Sequence, residues 1–298
     1  MTAALLVLDP GPLGLVQDEG RTGYAAMGVS PSGAADRTAY RRGQRLVGDL
    51  PGGAALELLL GGLTATARGE LTVAVTGAPA SLRVGDRPVP HATPVAVHDG
   101  ETIELGMPPT GLRSYLAVRG GIAVDPVLGS RSTDTLAGLG PPPLRAGDVL
   151  PIGATRHGSL DLGGLAGQSD RLTVVGGSGA DAGLTDLEVL TGPRTDWLAD
   201  PGDLERSGWT VGPASDRVGL RLVGTPLARV PARRTAEVPS EGLVRGAIQL
   251  PPDGLPVVLL ADHPVTGGYP VVGVLTRAGA DHAAQLRPGD RVRLTWRA

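Results

Sequence analysis

The densest run of polar side chains is Gln17-Asp18-Glu19-Gly20-Arg21-Thr22-Gly23-Tyr24, which continues into Gly28-Val29-Ser30-Pro31-Ser32-Gly33-Ala34-Ala35-Asp36-Arg37. It puts amide, carboxylate, guanidinium and hydroxyl groups on a glycine-rich loop that leads into a helix. The free N–H groups and positive dipole end of such a helix start suit an anion. The same residues also read as scaffolding, with Ser32 capping the helix, Asp36 offsetting its dipole and Asp18 paired with Arg21. A second candidate is Gly129-Ser130-Arg131-Ser132-Thr133-Asp134. A guanidinium fork grips a carboxylate or phosphate through two parallel bonds, and hydroxyls fill the remaining lone pairs. An ordinary polar loop would have the same composition. Arg119-Gly120-Gly121, after an apolar run, is equally open.

In the second half, Ser240-Glu241-Gly242 and Gln249-Leu250-Pro251-Pro252-Asp253-Gly254 precede Ala261-Asp262-His263-Pro264-Val265-Thr266-Gly267-Gly268-Tyr269-Pro270. Asp262 beside His263, at the end of a buried-looking strand, is the best acid/base pair in the chain. The loop Thr266-Gly267-Gly268-Tyr269 lets backbone approach a ligand closely. A turn with an exposed histidine accounts for these residues about as well.

The absences are informative. There is no cysteine, so disulfides, thiolate nucleophiles and cysteine metal sites are excluded. All 27 basic residues are arginine, which excludes a P-loop lysine, a Schiff-base lysine and a biotin-carrier lysine in these 298 residues. With 30 acidic residues the net charge is −3, which does not favour nucleic acid or a membrane surface. The five histidines show no metal-ligand spacing, and Asp281-His282 is expected on a surface helix. Val174 to Gly183 resembles a dinucleotide loop but lacks the G-x-G-x-x-G spacing and a following helix, and reads as linker. No serine lies in a Gly-x-Ser-x-Gly elbow. A chain without a complete active site is expected to work with a partner.

The elements that must position these residues are short strands. Leu71 to Val75, Thr102 to Leu105, Tyr115 to Val118, Leu172 to Val175, Leu187 to Leu190, Val257 to Leu260, Val271 to Leu275 and Val292 to Trp296 have strand character. Gly85-Asp86, Gly147-Asp148 and Gly289-Asp290 each mark a turn before a strand. A helix is expected over Ala34 to Val47, closed by Gly48, with shorter ones at Arg194 to Ala199 and Ala278 to Leu286. Glycine (47) and proline (27) are abundant, yet 41% of the chain is hydrophobic, so the expected class is a folded, turn-rich, mainly β protein. Pro31, Asp36-Arg37 and Arg45-Leu46-Val47-Gly48 are echoed by Pro213, Asp216-Arg217 and Arg221-Leu222-Val223-Gly224. The expected organisation is an N-terminal β domain over 1–156, a linker over 157–170 and a C-terminal β domain over 171–298. Ala3 to Leu8 has no charged leader and ends at Asp9-Pro10, and no apolar run is long enough to span a bilayer, so the expected location is cytoplasmic.

Assembled in order, these segments resemble the second-subunit family of allophanate hydrolase, also described as biotin-dependent carboxyltransferase-like. The resemblance rests on Asp9-Pro10-Gly11-Pro12, Val16-Gln17-Asp18, Arg21, Gly28-Val29-Ser30-Pro31-Ser32-Gly33, Ala55-Leu56-Glu57 and Leu116 to Ile122. It continues through Val127 to Thr133, Leu144 to Asp148, Ser215-Asp216-Arg217, Ser240-Glu241-Gly242, Gly246 to Gln249, Pro251 to Gly254, Thr266 to Pro270 and Ala284 to Asp290. Pro264-Val265 departs from a usual Gln-Thr pair, and Asp49 from a common asparagine. The resemblance implies two cyclophilin-like β-barrel domains with a few short helices, pseudo-duplicated. Its best-defined members serve ATP-dependent 5-oxoprolinase, converting 5-oxo-L-proline to L-glutamate. They do so with a kinase-inhibitor-like first-subunit protein (the B-type component) and a lactam-utilisation-type protein (the A-type component). ATP is then used by the complex and no cofactor is bound covalently. Within that implied activity, Glu57, Asp262 and His263 are expected to move protons. Gln17, Asp18, Arg21, Ser32, Arg119, Ser130, Arg131, Ser132, Glu241, Gln249, Thr266, Gly267, Gly268 and Tyr269 are expected at the substrate. The family also offers carboxyl transfer in a urea carboxylase, with biotin carried by a partner, and a non-enzymatic antagonist that binds a kinase-inhibitor partner.

Overall fold

The computed structural model describes residues 3–49, 52–155, 183–234, 236 and 238–297. The expected linker over 157–170, the strand at Leu172 to Val175 and most of the glycine-rich run from Val174 to Gly183 lie outside these residues. The described residues form two compact units: one of 3–21, 32–134 and 138–155, the other of 22–31, 135–137 and 183–297.

The first unit contains β1 (Ala4–Pro10), β2 (Leu13–Gln17), α1 (Arg37–Leu46), β3 (Ala55–Leu59), β4 (Leu63–Arg68) and β5 (Leu71–Gly77). It continues with β6 (Leu82–Val84), β7 (Arg87–Val89), β8 (Val95–Val97), β9 (Thr102–Leu105), β10 (Arg113–Val118) and β11 (Val149–Pro151). One sheet runs β11-β1-β4-β9-β6-β7 and the other β2-β3-β10-β5-β8. In β4 buried positions alternate with half-buried or exposed ones, as one-sided burial demands. β10 is buried throughout, because α1 covers the face of its sheet that turns away from the main core. Gly43 permits the close approach: a Cβ there would lie 3.1 Å from Ala117 Cβ and 3.2 Å from Thr76 Oγ1. Leu5, Val7, Leu56, Leu58, Val73, Ile103 and Leu116 are among the residues of the main core.

The second unit contains β12 (Leu184–Thr191), α2 (Asp203–Arg206), β13 (Trp209–Val211), β14 (Gly219–Val223), β15 (Glu241–Gly242) and β16 (Ala247–Gln249). It ends with β17 (Val257–Leu259), β18 (Thr266–Gly267), β19 (Val271–Leu275), α3 (Arg277–Ala283) and β20 (Arg291–Trp296). Seven strands close a barrel in the order β12-β19-β16-β17-β14-β13-β20, with β12 and β20 parallel, and β15 pairs with β18 as a separate ribbon. Leu187, Val189, Leu222, Ile248, Val258, Val272 and Leu294 belong to its core, and Ala280 and Ala283 of α3 pack against them. The fold is mainly β, with three short α-helices among the described residues, the class expected from the sequence.

Some expectations need correction. The main helix begins at Arg37, and its cap is Asp36, which accepts the Ala39 N–H at 2.9 Å; Ser32 lies well before it with a left-handed φ of 52°. The segment Arg194 to Ala199 has only a 3-10 turn over Thr195–Trp197. Asp281 is not a surface residue: it is buried and accepts from Arg245 Nη2 at 2.6 Å. The echo of Arg45–Gly48 in Arg221–Gly224 matches the end of a helix to a strand, so it is not a structural correspondence. The two Gly-Asp turns do correspond. Asp148 and Asp290 each accept the N–H of the arginine three residues earlier at 2.7 Å, with Gly147 and Gly289 at φ 94° and 92°.

Candidate functional site

In the first unit the fold joins two sequence candidates more than a hundred residues apart. Asp18, just past β2, accepts from Ser130 Oγ and Ser132 Oγ at 2.6 Å each, from the Gly20 N–H at 2.8 Å and from the Arg131 N–H at 2.6 Å. Arg21 donates to the Ser132 carbonyl and lies 3.7 Å from Asp134, so the expected Asp18–Arg21 pair does not form. Gln17 Nε2 donates to the Thr133 carbonyl at 2.8 Å, and Ser32 Oγ donates to the same carbonyl at 3.3 Å. All these side chains are buried, which makes the cluster a clamp on the loop over 127–134. Buried charges need such partners: Asp18 finds them in hydroxyls and main-chain N–H groups, and Arg21 in a carbonyl and, at longer range, in Asp134.

The clamp leaves Arg131 in a different position from its neighbours. Its Nε donates to the Val124 carbonyl at 2.7 Å, and its side chain helps line a cavity of about 300 Å³. The other walls are Gly53, Ala54, Gly120, Ile122, Ala123, Gly153 and Ala154. Neither terminal nitrogen of Arg131 has a hydrogen-bond partner among the described residues, and no described carboxylate lies within 4.0 Å. Arg119, beside the Gly120 wall, has a buried Nε without a partner among the described residues. Asp49 accepts the Gly120 N–H at 3.1 Å. The cavity therefore presents one aligned guanidinium amid small side chains. Sequence reasoning reaches Arg131 and Arg119 but misses the wall, because glycine and alanine carry no chemical signal of their own.

Glu57 in β3 is an anchor in this geometry. Its Oε2 accepts from the Ala35 N–H at 2.9 Å and Tyr115 Oη at 2.8 Å, while Oε1 lies 3.4 Å from Arg113 Nε. Tyr115 Oη in turn accepts the Asp36 N–H at 2.8 Å, which ties the start of α1 to the sheet. Burial first, then the Glu57 and Asp36 charges, push the Tyr115 hydroxyl well above the ordinary tyrosine range.

The second-unit candidates are also committed to partners. Asp262 accepts from Arg217 Nε at 2.8 Å and Nη2 at 3.0 Å, and from the N–H and Oγ1 of Thr135 at 2.9 and 2.7 Å. A carboxylate bound bidentately in this way has its lone pairs occupied. The His263 Nδ1–H donates to the Pro264 carbonyl at 2.8 Å. Glu241 pairs with Arg194 and stands opposite Gly267 in the ribbon, with Gly242 opposite Thr266. Gln249 Nε2 donates to the Tyr269 carbonyl at 3.4 Å, while Gly268 and the Tyr269 side chain are exposed. The fold thus gathers Glu241, Gln249, Thr266, Gly267 and Tyr269 around one ribbon. Arg217, Thr135 and Arg194 escape sequence reasoning as partners because they lie 45 to 127 residues from the carboxylates they meet. Among the described residues no group of three or more His, Asp or Glu side chains could hold a metal ion. No described helix is long and apolar enough to cross a membrane.

The family model of the carboxyltransferase domain, subdomain A and B, matches residues 27–296. The chain belongs to this family. It is 35% identical to the 5-oxoprolinase C subunit of Escherichia coli K12 over 293 residues, covering 97% of this chain and 89% of that protein. Urea amidolyase of Lachancea kluyveri is 32% identical over 305 residues, but this chain spans only 17% of its length. Among solved structures, the urea amidolyase of K. lactis superposes with a TM-score of 0.87 at 28% identity, covering 98% of this chain and 18% of that one. TTHA0988 gives 0.84 at 32% identity, covering 99% of this chain and 56% of its own. Matches to this chain therefore occur both in a protein of about its length and inside much longer chains.

Proposed function

We propose that this carboxyltransferase-family chain is the C-type component of an ATP-dependent 5-oxoprolinase, acting with a first-subunit (B-type) protein and a lactam-utilisation-type (A-type) protein. The observation that carries this reading is the match to the Escherichia coli protein over 97% of this chain and 89% of that one. The geometry supports a role within a complex as well: the proton-transfer candidates Glu57 and Asp262 are held in ion pairs, and the open cation, Arg131, can bind but cannot relay a proton. In the overall reaction the amide oxygen of 5-oxo-L-proline takes the γ-phosphoryl group of ATP, releasing ADP. Water adds to the activated ring carbon and the C–N bond breaks, with the nitrogen taking up a proton, to leave γ-glutamyl phosphate; a second water hydrolyses this acyl phosphate, releasing phosphate and L-glutamate. This chain's share is to hold substrate, with the reacting groups completed by its partners.

The test is glutamate release from 5-oxoproline and ATP by the three co-expressed proteins, against the same mixture without this chain. Turnover that requires the chain is expected. Turnover that persists without it would remove the reading. The likeness to urea amidolyase favours one alternative, carboxyl transfer from a biotin carried by a partner. Biotin-dependent carboxylation of urea by the assembled proteins, with no glutamate formed, would support it.

A further inference from the structure

In the first unit Arg21 and Arg113 face carboxylates, whereas Arg119 and Arg131 have none within 4.0 Å among the described residues. Arg131 is also held in place: its main-chain N–H is fixed by Asp18, and its Nε by the Val124 carbonyl, on a loop clamped by four buried side chains. A cation held in place with its outer edge free is arranged to receive an anion, because little side-chain freedom remains to be lost on binding.

We infer that the cavity beside Arg131 is a subsite for the carboxylate of a small amide- or lactam-bearing acid. Three features select this ligand. One guanidinium fork matches one carboxylate, and the lining includes no hydroxyl or helix start that would complete a phosphate site. Glycine and alanine walls at 53, 54, 120, 123, 153 and 154 leave room for a compact ligand beside the guanidinium, and Ile122 supplies one apolar surface. The volume, about 300 Å³, lies at the small end of ligand cavities and suits a metabolite. The described lining residues include no carboxylate or imidazole, and their part is to position the ligand. Assigning the ligand as 5-oxoproline rests on the proposed function; the carboxylate subsite itself does not.

The test is calorimetric titration of the chain, alone and with its co-expressed partners, using 5-oxo-L-proline, 2-pyrrolidinone and inorganic phosphate. Saturable binding of 5-oxo-L-proline is expected, with 2-pyrrolidinone, the same ring without its carboxylate, at least about tenfold weaker. Arg131→Gln should reproduce that loss at an unchanged melting temperature, and Arg131→Lys should fall between. Equal binding of the two ring compounds, tighter binding of phosphate, unchanged affinity in R131Q, or no binding in either preparation would overturn the subsite. Carboxylate-dependent binding without any glutamate turnover would retain the subsite and remove the 5-oxoprolinase reading. Turnover with an unchanged KM in R131Q would do the reverse.

Discussion

The two units treat buried charge differently. In the second, the charged groups are closed into pairs: Arg217 with Asp262, Arg194 with Glu241, and Arg245 with Asp281 of α3. In the first, Arg21 and Arg113 are closed in the same way, but the loop that Asp18 clamps carries Arg131, whose terminal nitrogens have no partner among the described residues, beside a cavity. An arginine among hydroxyls thus has two outcomes within one cluster. Arg21 supports the loop, and Arg131 is what the loop presents. Polar density in the sequence marks both and cannot separate them, because the separation depends on which carboxylate arrives from elsewhere in the chain.

The largest expected effect lies in the second unit. Asp262→Ala leaves Arg217 buried without its partner and should cost about 3–5 kcal/mol in urea unfolding, while Arg217→Met with Asp262→Leu should recover most of it. Neither change should alter carboxylate affinity in molecules that remain folded. In the first unit, Asp18→Asn turns an acceptor of four hydrogen bonds into a group that also donates, at a cost of roughly 3 kcal/mol. Unlike Asp262→Ala, it should also weaken carboxylate binding, because it releases the main chain of Arg131. Equal effects of both substitutions on affinity would erase the distinction between the units.

A smaller effect concerns acid stability. The Arg206 side chain, and then the Gly202 N–H, hold the Asp200 carboxyl below the ordinary aspartate value. A lowered carboxylate contributes stability above its unfolded-state value and loses it as pH falls through its folded value. The gap in melting temperature between the parent and Asp200→Asn should therefore be small near neutrality and close on acidification. A gap that widened in acid would contradict the pairing.

Much of the fold is legible locally. Thr102–Leu105 and Val271–Leu275 are strands with the boundaries their alternation suggests, and Gly48 follows the end of α1 as expected. The start of α1 differs from expectation because Ala34 and Ala35 have high helix propensity, whereas capping by Asp36 decides where the helix begins. The site is legible only as separate pieces. Asp18 meets Ser130 across 112 positions and Asp262 meets Thr135 across 127, and no local pattern encodes pairs so distant. The glycines at 53, 120 and 153 are readable as turns but not as the wall of a cavity.

The measurement that tests the account most directly is the KM for 5-oxoproline of the assembled enzyme carrying Arg131→Gln, read beside the melting temperature of the same preparation. The account predicts a KM raised at least about tenfold with the melting temperature unchanged. An unchanged KM would contradict it and place substrate recognition outside the Arg131 cavity.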